Sequence, residues 1–117
     1  MLIKNYYDFE SRKYRSHEGE GFVLGTKLFS DEDFETALNF FQYTEILPNS
    51  SIGYHEDGYG EEIYIILEGN GVLKYNGVDY EVKTGDVIIN KSRCWHGLRN
   101  ISNEKSLNIL VMAAVMK

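Results

Sequence analysis

The chain has 117 residues, 43% apolar and 26% charged, with a formal net charge of −6 and a single cysteine, Cys94. That length suits one domain whose core needs no disulfide staples, and a lone cysteine excludes an internal disulfide. The acidic balance argues against nucleic-acid binding and against a polybasic membrane surface, since both need basic residues gathered on one face. The most apolar run, Ile109 to Met116, is shorter than the roughly 20 residues of a spanning helix. The opening MLIKNYYDFE lacks the apolar stretch of a secretory signal. A cytoplasmic protein is expected.

In chain order, residues 1–10 are polar and ambiguous, with an edge strand one option, and SHEGEG at 16–21 reads as a flexible turn that leaves His17 solvated. Phe22 to Phe29 reads as a strand broken by Gly25. Ser30 to Glu35 is an Asx-type turn or one helical turn with acidic residues at its start. Leu38 to Leu47 is a long strand closed by Pro48. Glu62 to Glu68 and Val72 to Tyr75 follow as strands. Asn76-Gly77 is the strongest hairpin signal, because a type I′ turn needs positive φ at both positions. Val78, Tyr80 and Val82 alternate with polar residues in a half-exposed strand. Lys83 to Asp86 is a turn. Val87 to Ile89, Cys94 to Arg99 and Leu107 to Val115 complete the strands. Short strands every 8 to 12 residues or so indicate an all-β sandwich or barrel in one domain.

Histidine and carboxylate residues fall in two segments. In GYHEDGYGEEIYIILEG, residues 53–69, His55 and Asp57 are two apart and share a face if extended. Glu62 follows a glycine-bearing loop, and Tyr64 shares its face. In GDVIINKSRCWHGLRN, residues 85–100, His96 shares a face with Cys94 and Leu98. Taken alone, a strand histidine is more often a surface or hydrogen-bonded residue than a ligand. Cys94 reads as a small buried hydrophobe.

Residues 53–100 resemble the two motifs of the cupin family. The first runs Gly, five residues, His-x-His, three or four residues, Glu, six residues, Gly; here it reads His55-x-Asp57, four residues, Glu62, six residues, Gly69. The second runs Gly, five residues, Pro-x-Gly, two residues, His, three residues, Asn; here it reads Gly85, five residues, Lys91-x-Arg93, Cys94-Trp95, His96, three residues, Asn100. Asn49 stands where the first motif begins with glycine, Lys91 and Arg93 replace the Pro and Gly, and Asp57 replaces a histidine. The resemblance implies a double-stranded β-helix, the jelly-roll or cupin barrel, spanning 1–117. Its core motifs lie at 51–100, and the strands within 1–47 are open to sharing with a dimer partner.

The resemblance also implies a metal site of His55, Glu62 and His96, with Asp57 as a fourth ligand or as the holder of a metal-bound water. Two imidazoles with carboxylates suit one divalent ion: Fe, Mn, Zn, Ni or Co. The set is also similar to the 2-His-1-carboxylate triad of non-haem iron oxygenases, which are usually longer. The expected function is a metal-dependent enzyme acting on a small carboxylate- or enediol-bearing metabolite. Tyr64 is the candidate proton donor, and Glu62 both ligand and base. The alternative is a non-catalytic sensing or binding cupin with a lost or weak metal site, holding a small polar ligand through Tyr64, Gln42 or Tyr43. The apolar C-terminal strand further suggests a homodimer.

Overall fold

The computed structural model describes residues 2–58 and 60–116. Among the described residues there are ten strands: β1 (Arg12–Tyr14), β2 (Val23–Phe29), β3 (Leu38–Ile46), β4 (Ser51–Glu56), β5 (Gly60–Glu68), β6 (Asn70–Tyr75), β7 (Val78–Lys83), β8 (Val87–Asn90), β9 (Trp95–Asn100) and β10 (Leu107–Val115). They form a six-stranded sheet ordered β1-β2-β3-β10-β5-β8 and a four-stranded sheet ordered β4-β9-β6-β7. Every strand pairing in both sheets is antiparallel. This is the all-β jelly-roll that the family resemblance implies, and among the described residues there is no α-helix.

The two sheets close over a core that includes Val23, Ile46, Ile66, Leu98, Leu107 and Ile109, each almost fully buried. Period-2 alternation selects these residues: β10 buries Leu107, Ile109, Val111 and Ala113 on its inner face, while Leu110 and Met112 on the other are half-covered. β10 lies between β3 and β5, so its ladder is filled on both edges.

Turns follow their residue chemistry. Asn76 and Gly77 both have positive φ, 47° and 83°, as a type I′ hairpin requires, and they join β6 to β7. Asp31–Asp33 is a single 3-10 turn, held by the Ser30 N–H donating to Asp33 Oδ2 at 2.9 Å. Asn100 is buried and acts as a clip. Its amide nitrogen lies 3.0 Å from Ile46 O and 2.8 Å from Lys105 O, and its oxygen accepts from the Ser102 N–H at 2.9 Å.

Three local expectations are corrected. The start of the chain is not an edge strand. Asn5 turns it, with its side chain accepting from the Tyr7 N–H and its carbonyl from the Asp8 N–H. Tyr6 then stacks flat on Tyr43 at 4.3 Å, so aromatic packing over the sheet replaces ladder hydrogen bonds, and the first strand is Arg12–Tyr14. Tyr43 therefore lies on the outer face of β3, away from the barrel interior to which Gln42 points. Cys94 precedes β9, in a turn closed by its N–H donating to Lys91 O at 3.2 Å.

Candidate metal centre and its cavity

β4 and β9 pair so that His55 and His96 lie directly opposite, their rings edge to face with centroids 4.4 Å apart. Glu62 comes from β5 in the facing sheet, and Asp57 stands just past the end of β4. The structure brings all four side chains to one point, with one ligating atom from each within 4.8 Å of the others. His96 Nε2 is 3.2 Å from Glu62 Oε1 and 3.4 Å from Asp57 Oδ2, and His55 Nε2 is 3.5 Å from the same Asp57 oxygen. His96 is fully enclosed, and the Asp57 side chain, 31% exposed, is the most open of the set.

Hydrogen bonds decide which lone pairs face the centre. His55 Nδ1 lies 2.7 Å from the Gly53 carbonyl, which only accepts, so Nδ1 carries the proton. When that ring is neutral, the bare lone pair of Nε2 faces an Asp57 oxygen, which also offers only lone pairs when ionised. Both His55 Nε2 and Asp57 Oδ2 are buried without a hydrogen-bond partner among the described residues. Converging acceptors of this kind are costly unless a cation fills the gap, so the residues present fit a metal ion. Burial above all, with the neighbouring Asp57, raises the pKa of Glu62, while its hydrogen bond with His96 pulls it down.

Of the two departures from the second motif, Arg93 meets Asp57 through its backbone. The Arg93 N–H donates to Asp57 O at 3.1 Å, and Ser92 Oγ to Gly58 O at 3.2 Å, so this turn grips the loop carrying the substituted ligand. Arg93 sits at φ 63°, in the left-handed region that glycine occupies most easily, at a position where the family motif has glycine. Asn49, which also stands for a motif glycine, has φ 57°. The side chains differ from the motif while the backbone keeps a conformation that glycine favours.

Beside the centre lies a cavity of about 100 Å³, lined among others by Tyr14, His17, Gln42, Thr44, Glu62 and Tyr64. Tyr64 is fully buried, with its ring edge-on to His96 at 5.9 Å. Burial, then the charges of Glu62 and Asp57, push its phenol well above the ordinary range, so it stays protonated. Tyr43 is not among the lining residues.

Two residues escaped the sequence reading. His17 is exposed, as a turn residue should be, yet its ring lies parallel on His55 at 3.5 Å. Burial and the neighbouring His55 lower its pKa. Asn90 is buried directly opposite Glu62 in the β5–β8 ladder, and neither atom of its amide has a partner among the described residues. Its place in GDVIINK carries no signal beyond a polar residue ending an apolar run.

The profile of the cupin domain family matches residues 42–113. The chain belongs to the cupin family. An oxalate-binding protein of Thermotoga maritima is 36% identical over 103 residues, 88% of this chain and 85% of its own length. A crystal structure from the same organism, described as a predicted oxalate decarboxylase, superposes with a TM-score of 0.93 at 28% identity, covering 98% of this cupin and all of that chain. A polyketide cyclase of Streptomyces resistomycificus shares the fold, with a TM-score of 0.80 at 23% identity over 97% of this chain and 79% of its own.

Proposed function

We propose that this cupin holds one divalent cation between His55, Asp57, Glu62 and His96 and uses it to capture a small chelating carboxylate of the oxalate class. The observation that carries the reading is the meeting of four donor side chains where His55 Nε2 and Asp57 Oδ2 are buried without a partner. The 36% identical oxalate-binding relative supports the ligand class. So does the cavity. At about 100 Å³ it is far below the roughly 300–1,000 Å³ of a drug-sized ligand's pocket.

Two imidazoles and two carboxylates suit Fe, Mn, Co, Ni or Zn in the divalent state, and such an ion supplies Lewis acidity toward a carboxylate oxygen. The chain's own groups do the rest. The Tyr64 phenol, which keeps its proton, donates toward an oxygen in the cavity. Glu62, at the boundary of centre and cavity, accepts a proton there, so the pair is equipped for proton transfer. The small cavity favours a second reading, capture without turnover, because little space remains for a co-substrate.

The test is elemental analysis of the parent beside His96→Ala prepared identically, followed by calorimetric titration with oxalate. One divalent ion per parent chain, lost in the variant, with oxalate heats only in the metal-loaded parent, is the expected result. No metal in either protein after reloading overturns the reading. Oxalate consumption followed by mass spectrometry separates turnover from capture.

We further propose that the protein is a cytoplasmic homodimer. Val78, Tyr80, Val87 and Ile89 are exposed on β7 and β8, each the free edge of its sheet. Light scattering at micromolar concentration is expected to give twice 13.5 kDa, and a monomer mass refutes it.

A further inference from the structure

The loop from Ser16 to Gly21 is seated on β4 more tightly than an exposed turn requires. Ser16 forms a parallel bridge with Ile52, and the Gly53 N–H donates to Ser16 O at 3.0 Å. The Glu20 N–H donates to Ser51 Oγ and the Ser51 N–H to Glu20 O, both at 2.9 Å. The approach is so close that a Cβ on Gly53 would lie 2.0 Å from His17 O. Two successive non-glycine residues, His17 at φ 48° and Glu18 at φ 58°, occupy the left-handed region. Such strain persists only where the surroundings over-determine it, and it gathers at ligand sites.

What the loop presents is the His17 imidazole, flat against His55 with an interplanar angle of 5° and on the wall of the cavity. An anion entering that cavity needs donors. Gln42 has spent both hydrogens of its amide nitrogen, on Tyr14 OH and Thr44 Oγ1, each at 2.9 Å. Glu62 offers an acceptor. Among the lining side chains the remaining nitrogen donor is His17, whose ring makes no hydrogen bond among the described residues.

We propose that His17 is a ligand-contacting residue, which covers the His55 ring with its face and donates a ring N–H to the small anion in the cavity. The inference rests on the metal-dependent capture of a carboxylate proposed above. It adds the residue that recognises the part of the anion turned away from the centre.

Parent, His17→Phe and His17→Asn are titrated with Mn(II) and then, metal-loaded, with oxalate. Phenylalanine keeps a ring against His55 and removes the N–H. Asparagine suits the left-handed backbone but is too short to reach, and it serves should the phenylalanine variant fold poorly. His17→Phe is expected to hold Mn(II) within about threefold of the parent and to lose oxalate affinity by about tenfold or more, as for a hydrogen bond to a charged group. His17→Asn is expected to lose oxalate affinity at least as far. Oxalate affinity unchanged in both variants overturns the inference alone. A loss of Mn(II) affinity in His17→Phe as large as its loss of oxalate affinity also overturns it, leaving His17 as packing for His55. A parent that takes up Mn(II) but no oxalate removes the functional reading, and this inference with it.

Discussion

Asp57 exchanges a neutral imidazole for a carboxylate and so brings a second negative charge to a centre that already holds Glu62. The exchange is tolerable only with a cation nearby, because Asp57 Oδ2 is buried with two imidazole nitrogens at 3.4 and 3.5 Å and no hydrogen bond. Asp57→Ala is therefore expected to weaken metal binding tenfold or more, on the scale of a lost ligand or of a partner that orients one. Competition against a chelator of known affinity measures it, and unchanged affinity would place Asp57 outside the site. Tyr43 makes a residue-scale prediction of another kind. Burial, then the neighbouring Tyr7 and Glu45, raise its pKa to about 12. An acid whose pKa is higher folded than unfolded favours the protonated form in the native state. Its contribution is therefore whole below about pH 10 and drains away as the pH rises toward 12. Urea midpoints should fall over that interval, and less steeply in Tyr43→Phe. Tyr64, raised in the same direction, keeps the slope from vanishing.

The turns between strands are where small changes separate backbone conformation from packing. Gly77 has φ 83° and open space around it, so Gly77→Ala meets only the backbone penalty, about 1 kcal/mol. Gly53 has ordinary φ but no room, and Gly53→Ala must push the His17 loop off β4 at a cost of about 2 kcal/mol or more. Denaturant midpoints rank the two. Only the second variant should also disturb metal binding, because the Gly53 carbonyl sets the His55 tautomer. Arg93→Gly runs the opposite way. It relieves a left-handed arginine and keeps the backbone N–H that holds Asp57, so it is expected to stabilise by up to about 1 kcal/mol.

For the molecule as a whole, the apolar core contains none of the four candidate metal ligands. Val23, Ile46, Leu98, Leu107 and Ile109 are buried between the sheets by apolar contacts with one another. Removing metal with a chelator is thus expected to lower Tm without abolishing the fold. The lost stabilisation is about 2.7 kcal/mol when free metal stands at 100 times its Kd. Circular dichroism of the metal-loaded and chelated protein checks this, and loss of strand signal at room temperature would contradict it.

Legibility followed the range of each interaction. Alternation along β10, the Asn76-Gly77 hairpin and the spacing of His55, Glu62 and His96 are all properties of short windows, and each strand dictates which side chains share its face. From them the sequence alone determined an all-β sandwich or barrel, and the family resemblance implied that His55, Glu62 and His96 would meet in it, with Asp57 as a fourth ligand or the holder of a metal-bound water. It also showed Asp57, Lys91 and Arg93 as departures from the motif, without showing that Arg93 grips the Asp57 loop through backbone. Only the tertiary structure decided that Tyr43 faces outward under Tyr6 and that the chain's start packs instead of pairing. The same holds for His17, which lies 38 positions from the ring it covers. No local pattern records that distance, because the contact exists only once Ser16 to Gly21 is seated against β4 by backbone hydrogen bonds between segments far apart in the chain.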